Sequence, residues 1–305
     1  MVFTASSVSF AAVPPPTFGK IVTVAGHLAD IALDQKRRVV YAASFTRNRV
    51  EVISMDTQTL LAPIVVGFQP STLAISPDGR YLMVGHYSPI GNTSSIGIKI
   101  IDLESNAQQT VYLGGTSVLA VNFGKASKAL VILKDGIKLV EAKDGTVTPV
   151  SLKVPASTSP LAVLPVPWAT VPSQTIEASS GVSGDGEVIY AIVSLSSPTA
   201  NYVVRYEVGS GALTAPSLTT DPTLGPVVIS VDRTGQNFLA GWVLANEDLT
   251  GLTEFPYPSG TPNVGGHAFD WKHRRIYAQV STEVGPNLHV VDADNLTVRE
   301  VFRLR

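Results

Sequence analysis

The chain alternates short apolar runs with clusters of polar and turn-forming residues, and this alternation repeats along its length. Residues 71–84 read STLAISPDGRYLMV: an apolar run, a tight polar turn and a second apolar run. Short apolar runs separated by Pro, Asp and Gly are typical of β-strands joined by turns. The same pattern returns at 29–42, 179–192, 227–240 and 267–279, and a degenerate copy lies at 117–133.

A polar residue begins the turn in each copy, and its spacing gives the length of the repeat. The turn residues are Asp34, Ser76, Asn122, Ser183, Asp232 and Asp270. They are 42, 46, 61, 49 and 38 residues apart, close to the roughly 40–45 residues of a four-stranded propeller blade. The pattern therefore predicts an all-β protein, a β-propeller of four-stranded blades with six visible repeats. No segment has a sustained helical period.

The same pattern sets the predicted domain boundaries. Residues 1–18 form a Pro-rich lead-in that we expect to be flexible, and residues 19–305 form a single propeller domain. The longest spacing contains a Pro-rich stretch at 155–172, and its prolines lack the donor that a strand inside a sheet needs. We interpret this stretch as a loop insertion within the domain.

One predicted strand has no clear place in the count of blades. Lys20–Val24 has the pattern of an outer strand, yet the sixth repeat already has its own outer strand at Val298–Leu304. The simplest interpretation is a seven-bladed ancestral ring whose last blade is incomplete. The alternative is that six blades close and Lys20–Val24 lies on an edge. Because an open edge invites pairing with another chain, we expect strand displacement or self-association at the incompletely closed blade.

Residues 39–82 carry the clearest family resemblance. They read VVYAASFTRNRVEVISMDTQTLLAPIVVGFQPSTLAISPDGRYL, with Gly-x-x-Pro at 67–70 and Ser-Pro-Asp-Gly at 76–79. This segment resembles the YVTN-repeat family of β-propellers, although residues 41–44 read Tyr-Ala-Ala-Ser in place of Tyr-Val-Thr-Asn. The resemblance is weak in the third repeat and extends to the seven-bladed, lactonase-like propellers. It implies the fold directly, and an activity only by way of the fold.

Composition narrows the classes of function. The chain has 22 basic and 24 acidic residues, a net charge of −2 and no basic run, which argues against a nucleic-acid partner. It has no cysteine, which excludes disulfides and thiolate metal sites. The longest apolar stretch, Pro160–Val171, is too short and Pro-rich to span a membrane. We expect an extracellular, periplasmic or cell-surface origin, although residues 1–16 form no clear signal peptide.

Candidate site residues cluster where the first strand of each blade is predicted to start. Propellers bind ligands over the central channel at this face, an analogy of fold. We predict His27, His267 and Asp30 as catalytic residues, and Asp30, Glu177 and Asp221 as ligands of a Ca²⁺ ion, which prefers oxygen donors. The alternative is that each is an ordinary loop residue or a histidine bonded to the backbone. Further candidates on this face are His86 and, in a loop predicted at Leu244–Thr250 of the fifth repeat, Glu247 and Asp248.

The turn residues have two interpretations of their own. They would either bind a metal on the opposite face or cap their turns through bonds to backbone N–H groups, and the second is the commoner role of Asp, Asn and Ser. No nucleophile elbow, zinc-protease, phosphate-loop or dinucleotide motif is present. Aromatic residues that would offer a sugar platform, or simply pack between blades, are Trp168, Trp242 and Trp271.

Two functions follow from these observations. In the first, the protein is a lactonase-type hydrolase in which Ca²⁺ polarises a lactone or ester carbonyl and activates water, with a His or Asp as general base. In the second, it is a non-catalytic secreted or cell-surface propeller that binds a protein or a glycan. The concentration of polar candidates on one face favours the hydrolase; the irregular loops suit the binding module equally.

Overall fold

The computed structural model consists of β-strands joined by turns and loops. It describes residues 20–87, 96–114, 116–150, 175–196, 199–214, 227–241, 243–248, 251–254, 266–282 and 285–303. Within these ranges every regular element is a β-strand, and the strands form six antiparallel sheets. This confirms the predicted six-bladed all-β propeller. None of the described residues belongs to a helix that is long and apolar enough to cross a membrane. The lead-in 1–18 and the insertion 155–172 lie outside the described residues.

The first three blades follow one another along the chain. Blade 1 contains β1 (Leu28–Asp34), β2 (Val39–Ser44), β3 (Arg49–Ser54), β4 (Thr59–Leu60) and β5 (Ile64–Val65). Blade 2 contains β6 (Pro70–Ile75), β7 (Tyr81–His86), β8 (Ile96–Asp102) and β9 (Gln108–Gly114). Blade 3 contains β10 (Val118–Phe123), β11 (Lys128–Leu133), β12 (Gly136–Glu141) and β13 (Val147–Pro149).

The last three blades have the same strand order. Blade 4 contains β14 (Thr175–Val182), β15 (Val188–Ser196), β16 (Thr199–Glu207) and β17 (Ala212–Thr214). Blade 5 contains β18 (Ile229–Val231), β19 (Asn237–Ala240), β20 (Val243–Asn246) and β21 (Gly251–Glu254). Blade 6 contains β22 (His267–Asp270), β23 (Arg275–Thr282), β24 (Gly285–Asp292) and β25 (Val298–Arg303).

Each blade is an antiparallel meander whose first strand is innermost. The inner strands β1, β6, β10, β14, β18 and β22 lie beside one another in chain order. In blade 1 the outer strand is split, because both β4 and β5 pair with β3. The outer strand predicted for the sixth repeat at Val298–Leu304 is confirmed as β25.

Apolar side chains from facing sheets form five clusters, each between two consecutive blades. Leu73, Leu82 and Val84 of blade 2, for example, pack on Tyr41 and Val50 of blade 1. The other clusters join blades 2 and 3, 3 and 4, 4 and 5, and 5 and 6. Among the described residues no cluster joins blade 6 to blade 1, so the core is an arc of five interfaces.

The predicted outer strand at Lys20–Val24 is wrong. Residues 20–25 have no regular structure and no strand partner among the described residues. After this segment, the Phe45 N–H donates to the carbonyl of His27 and the His27 N–H donates to the Thr46 hydroxyl. The origin from a seven-bladed ring stays a prediction.

The loop predicted at Leu244–Thr250 in blade 5 is also wrong in part. Residues 243–246 form the third strand, β20, which pairs with β19 over only four residues. Glu247 and Asp248 therefore follow the third strand and not the second, and the Glu247 N–H donates to the carbonyl of Gln236 beside the first turn of the blade. This places both carboxylates at the face opposite the predicted site.

Candidate functional site

The inner strands surround a channel cavity of about 810 Å³. Small, hydroxylated and aliphatic side chains of blades 1 to 4 line most of it, with Val227, Val228 and Gly266 from blades 5 and 6. Asp30 and Glu177 are the charged residues of this lining, and no described lining residue is basic. The electrostatic character of the channel is therefore negative.

A repeated β-bulge shapes the mouth of this channel. The register shifts by one residue near the start of β1, β6, β10 and β14. An extra residue in one strand bends it and turns the following side chain. The residue directly after the bulge is Asp30 in blade 1 and Glu177 in blade 4. The same backbone device thus presents both carboxylates at the channel.

Asp30 is bound tightly by the neighbouring blade. Its Oδ2 accepts hydrogen bonds from the Leu73 N–H at 2.8 Å and from the Thr72 hydroxyl at 3.1 Å, and its Oδ1 accepts from the Ile31 N–H. The Thr72 Oγ1 in turn accepts from the Val121 N–H of blade 3. Burial raises the pKa of Asp30, and the hydrogen bonds to Leu73 and Ile31 oppose that shift. Asp30 thus links three consecutive blades.

Other polar side chains connect blades in the same way. The Ser71 hydroxyl donates to the Val118 carbonyl, and the Asn122 amide donates to the Ser180 carbonyl. In blade 6, the His267 Nδ1 lies 2.6 Å from the Ser230 Oγ of blade 5. These hydrogen bonds satisfy polar groups between the sheets, as buried polar groups require.

The structure does not bring the three predicted catalytic residues together as one group. Asp30 bonds forward to blade 2, whereas His267 bonds backward to blade 5, so the two side chains point in opposite directions along the ring. His27 is exposed. Burial lowers the pKa of His267 to about 4, and the nearby backbone of Gly241 and Val228 offsets this only in part. His267 is therefore neutral at pH 7.

Two of the three predicted calcium ligands lie at one cavity. Asp30 and Glu177 line the same cavity, while Asp221 lies outside the described residues. The Glu177 side chain is exposed and has no hydrogen-bond partner in the described part of the chain. No three His, Asp or Glu side chains converge among the described residues. Two carboxylates suit Ca²⁺ in kind, and the site itself stays a prediction.

The remaining candidates are bound to their surroundings. His86 is fully buried and its Nδ1 lies 2.7 Å from the Phe68 carbonyl oxygen, while its Nε2 is buried with no hydrogen-bond partner in the described part of the chain. Trp271 is 48% exposed, and the Arg233 guanidinium lies 5.1 Å from the centre of its ring. Trp168 lies outside the described residues, as does Trp242.

The capping role of the turn residues is confirmed in five blades. Asp34 and Asp270 each accept from the backbone N–H three residues later. The Asp232 carboxylate accepts from the Gly235 N–H, and the hydroxyls of Ser76 and Ser183 accept from the N–H five residues later.

Asn122 is the exception, because it lies inside β10. Gly124 takes the turn position there, and a Cβ at Gly124 would come within 2.7 Å of the Gly186 carbonyl oxygen. Close approach of the next blade therefore accounts for a glycine in place of a polar residue at this turn.

Sequence reasoning missed Thr72, which both donates to Asp30 and accepts from Val121. One signal was available: Thr72 stands four residues before the turn residue Ser76, as Asp30 stands four before Asp34. Polar residues at the same place in two successive repeats indicate a shared position. Only the structure shows which neighbouring residues these side chains bond to.

Comparisons with known proteins support the β-propeller fold and no particular family. No family model matches the chain, and no curated protein matches it, so the resemblance to the YVTN family stays a prediction. Among solved structures, a hydrazine synthase chain of Kuenenia stuttgartiensis is similar, with a TM-score of 0.60 and 13% sequence identity. The match covers 90% of this chain and 79% of that one. The class of protein is thus a β-propeller.

Proposed function

We propose that this protein is a non-catalytic β-propeller that binds a cationic group of a partner protein, such as a Lys or Arg side chain, in its channel cavity. The supporting observation is the charge of the lining: Asp30 and Glu177 share the cavity with no described basic residue. A negative, partly enclosed channel attracts cations, because low-dielectric walls strengthen the field inside it.

The hydrogen bonds of the candidate residues support binding over catalysis. Asp30 and His267 hold neighbouring blades together, and a general base must instead face its substrate. Glu177 has no described partner, so its carboxylate can accept a charge-assisted hydrogen bond from a ligand without breaking one. Glu177 is therefore the residue we assign to contact the cationic group.

Glu177→Gln tests this assignment, since it removes the charge and keeps the shape. We expect peptides containing Lys or Arg to bind the wild-type protein on a peptide array, and matched norleucine and citrulline peptides to fail. Affinity measured by fluorescence polarisation should fall about tenfold or more in Glu177→Gln, as expected for a lost charged hydrogen bond. Glu300→Gln, at an exposed carboxylate on β25, is the matched control. Equal binding by wild type and Glu177→Gln would rule out the assignment.

A second candidate is the calcium-dependent lactone hydrolase. What favours it is that two of its predicted ligands, Asp30 and Glu177, line one cavity. A bound Ca²⁺ would supply Lewis-acid polarisation of the lactone carbonyl and a lower pKa for water. Water would then add to the carbonyl carbon, the ring C–O bond would break, and the leaving alkoxide would take a proton.

Calcium titration separates the two candidates. The hydrolase predicts that CaCl₂ binds with a stoichiometry of one in isothermal titration calorimetry, and that EDTA abolishes opening of a simple lactone. Glu177→Gln should weaken both without loss of stability, because Glu177 makes no described hydrogen bond. Absence of calcium heat and of lactone turnover, with peptide binding intact, would leave the binding module alone.

A further inference from the structure

The turns of blades 5 and 6 enclose a second cavity, of about 440 Å³. It shares no described lining residue with the channel cavity, and its volume is typical of small-molecule sites, about 300–1,000 Å³. We call it the turn pocket, and its lining includes Arg233, Asn237, Leu244, Phe269, Trp271 and Leu296. Leu244 is 6% exposed, and Phe269 and Leu296 belong to the same apolar cluster. The base of the pocket is therefore apolar.

An exposed indole lies in the wall of the turn pocket. Trp271 directly follows the turn residue Asp270 and is 48% exposed. The residue at the same place is Gln35 in blade 1, Pro77 in blade 2, Gly184 in blade 4 and Arg233 in blade 5. The turn therefore does not require an aromatic residue, and the indole is available for contact with a ligand.

Two contacts fix the orientation of this indole. The Arg233 guanidinium lies 5.1 Å from the centre of the Trp271 ring, which is a cation–π distance. The edge of the ring lies against Gly184 of blade 4, where a Cβ would come within 2.9 Å of the Trp271 Nε1. Glycine at this place leaves the room that the indole needs. Because the ring is already held in place, it loses little conformational freedom when a ligand binds.

The polar groups of the turn pocket are balanced in charge and include both donors and acceptors. Arg274 forms an ion pair with Asp294. The Asp232 carboxylate accepts from its own turn and from the Asn237 amide, which leaves the Asn237 side-chain carbonyl as an acceptor. The Arg233 guanidinium has no hydrogen bond or ion pair with another described residue, so its N–H groups remain donors. Two arginines and two aspartates give the lining no net charge.

We propose that the turn pocket binds a neutral saccharide, with one sugar ring stacked on Trp271 and its hydroxyls bonded to Arg233 and Asn237. A pyranose ring has an apolar face of C–H groups, which an indole covers, and a rim of hydroxyls that both donate and accept hydrogen bonds. An uncharged polar ligand matches a lining with no net charge, whereas the negative channel favours cations. The site is separate from the channel and does not depend on the function proposed for it.

Saturation-transfer NMR with simple glycosides is the first test. The probes are the methyl glycosides of glucose, galactose, mannose, fucose and N-acetylglucosamine, each at millimolar concentration. At least one of them should receive saturation from the protein. Glu177→Gln should leave this transfer unchanged, because Glu177 lines only the channel. Transfer to none of the probes would overturn the proposal, and loss of transfer in Glu177→Gln would place the sugar in the channel instead.

Truncation of the indole is the second test. Trp271→Ala should lower the affinity for the best-bound glycoside about tenfold or more, because the ring supplies the stacking surface, and Trp271→Phe should restore part of it. Tyr112→Ala is the matched control: Tyr112 is 53% exposed and lies on β9 of blade 2, so this variant should bind as the wild type does. Unchanged affinity in Trp271→Ala, or an equal loss in Tyr112→Ala, would overturn the proposal. Binding of cationic peptides to the channel should be the same in Trp271→Ala and the wild type, so failure of one site is distinguishable from failure of the other.

Chemical labelling of the wild-type protein keeps the proposal testable even if Trp271→Ala fails to fold. The reagent 2-hydroxy-5-nitrobenzyl bromide alkylates exposed indoles, and peptide mass spectrometry separates Trp271 from Trp168 and Trp242. The best-bound glycoside should slow the labelling of Trp271 as it saturates the pocket. Glycerol at the same concentration has hydroxyls but no ring face, so it should leave the rate unchanged. Equal rates of Trp271 labelling with and without the glycoside would refute the site.

Discussion

Asp30→Ala is expected to lower the free energy of unfolding by about 2–4 kcal/mol, because it leaves buried hydrogen-bond donors between blades 1 and 2 without an acceptor. The lost carboxylate accepts from the N–H of Leu73 and from the hydroxyl of Thr72, and both of these residues are 5% exposed. A buried donor that loses its acceptor costs about 1–3 kcal/mol. Urea denaturation followed by circular dichroism measures the change.

Two further variants separate this structural role from simple loss of charge. Glu177→Ala removes the other carboxylate of the same cavity, which has no described partner, and should change stability by less than about 0.5 kcal/mol. The double variant of Asp30→Ala with Thr72→Val should be less destabilised than the sum of the singles, because the two residues share one hydrogen-bond chain. Wild-type stability in Asp30→Ala would refute the linking role.

Acidification is expected to destabilise the protein through His267. Its folded pKa is lowered to about 4 from the ordinary value of 6.5, so the unfolded chain takes up the proton first. The stabilising contribution is complete above pH 6.5, declines as the pH falls through that value, and is fully lost below about pH 4. A shift of this size corresponds to at most about 3 kcal/mol, and we expect about 1–3 because the residue keeps part of its surface exposed.

His267→Asn isolates this contribution, since its side chain can still bond to Ser230 without titrating. The difference in unfolding free energy between pH 7.5 and pH 4 should be smaller in His267→Asn than in the wild type by the stated amount. Burial also lowers the pKa values of His86 and His289, so some acid sensitivity should remain in the variant. An unchanged pH dependence in His267→Asn would contradict the prediction.

Local patterns were enough to predict the blades. Apolar alternation and a polar turn residue act over a few neighbours, so the turns at Asp34 and Asp270 and the strands around them were predictable. Blade 3 was harder, because Gly124 replaces a polar residue where the next blade approaches closely. The short strand β20 was predicted as part of a loop, because four residues carry too little apolar alternation to be recognised as a strand.

The candidate site was predictable as a place but not as an arrangement. Sequence position put Asp30, Glu177 and His267 near the channel, and Asp30 and Glu177 do line it. It gave no information on which neighbour each side chain would bond to. That depends on packing between blades, which turned Asp30 toward Leu73 and His267 toward Ser230.

By itself the sequence determined the number of blades, the strand order within each and the capped turns, because all of these depend on contacts between near neighbours in the chain. Tertiary structure alone decided three things: that Asp30 links blades, that Lys20–Val24 forms no strand, and that blade 1 exposes Ile31 and Leu33. Each requires knowing whether a distant sheet is present beside the residue. An apolar strand has the same sequence pattern whether or not another sheet covers its face.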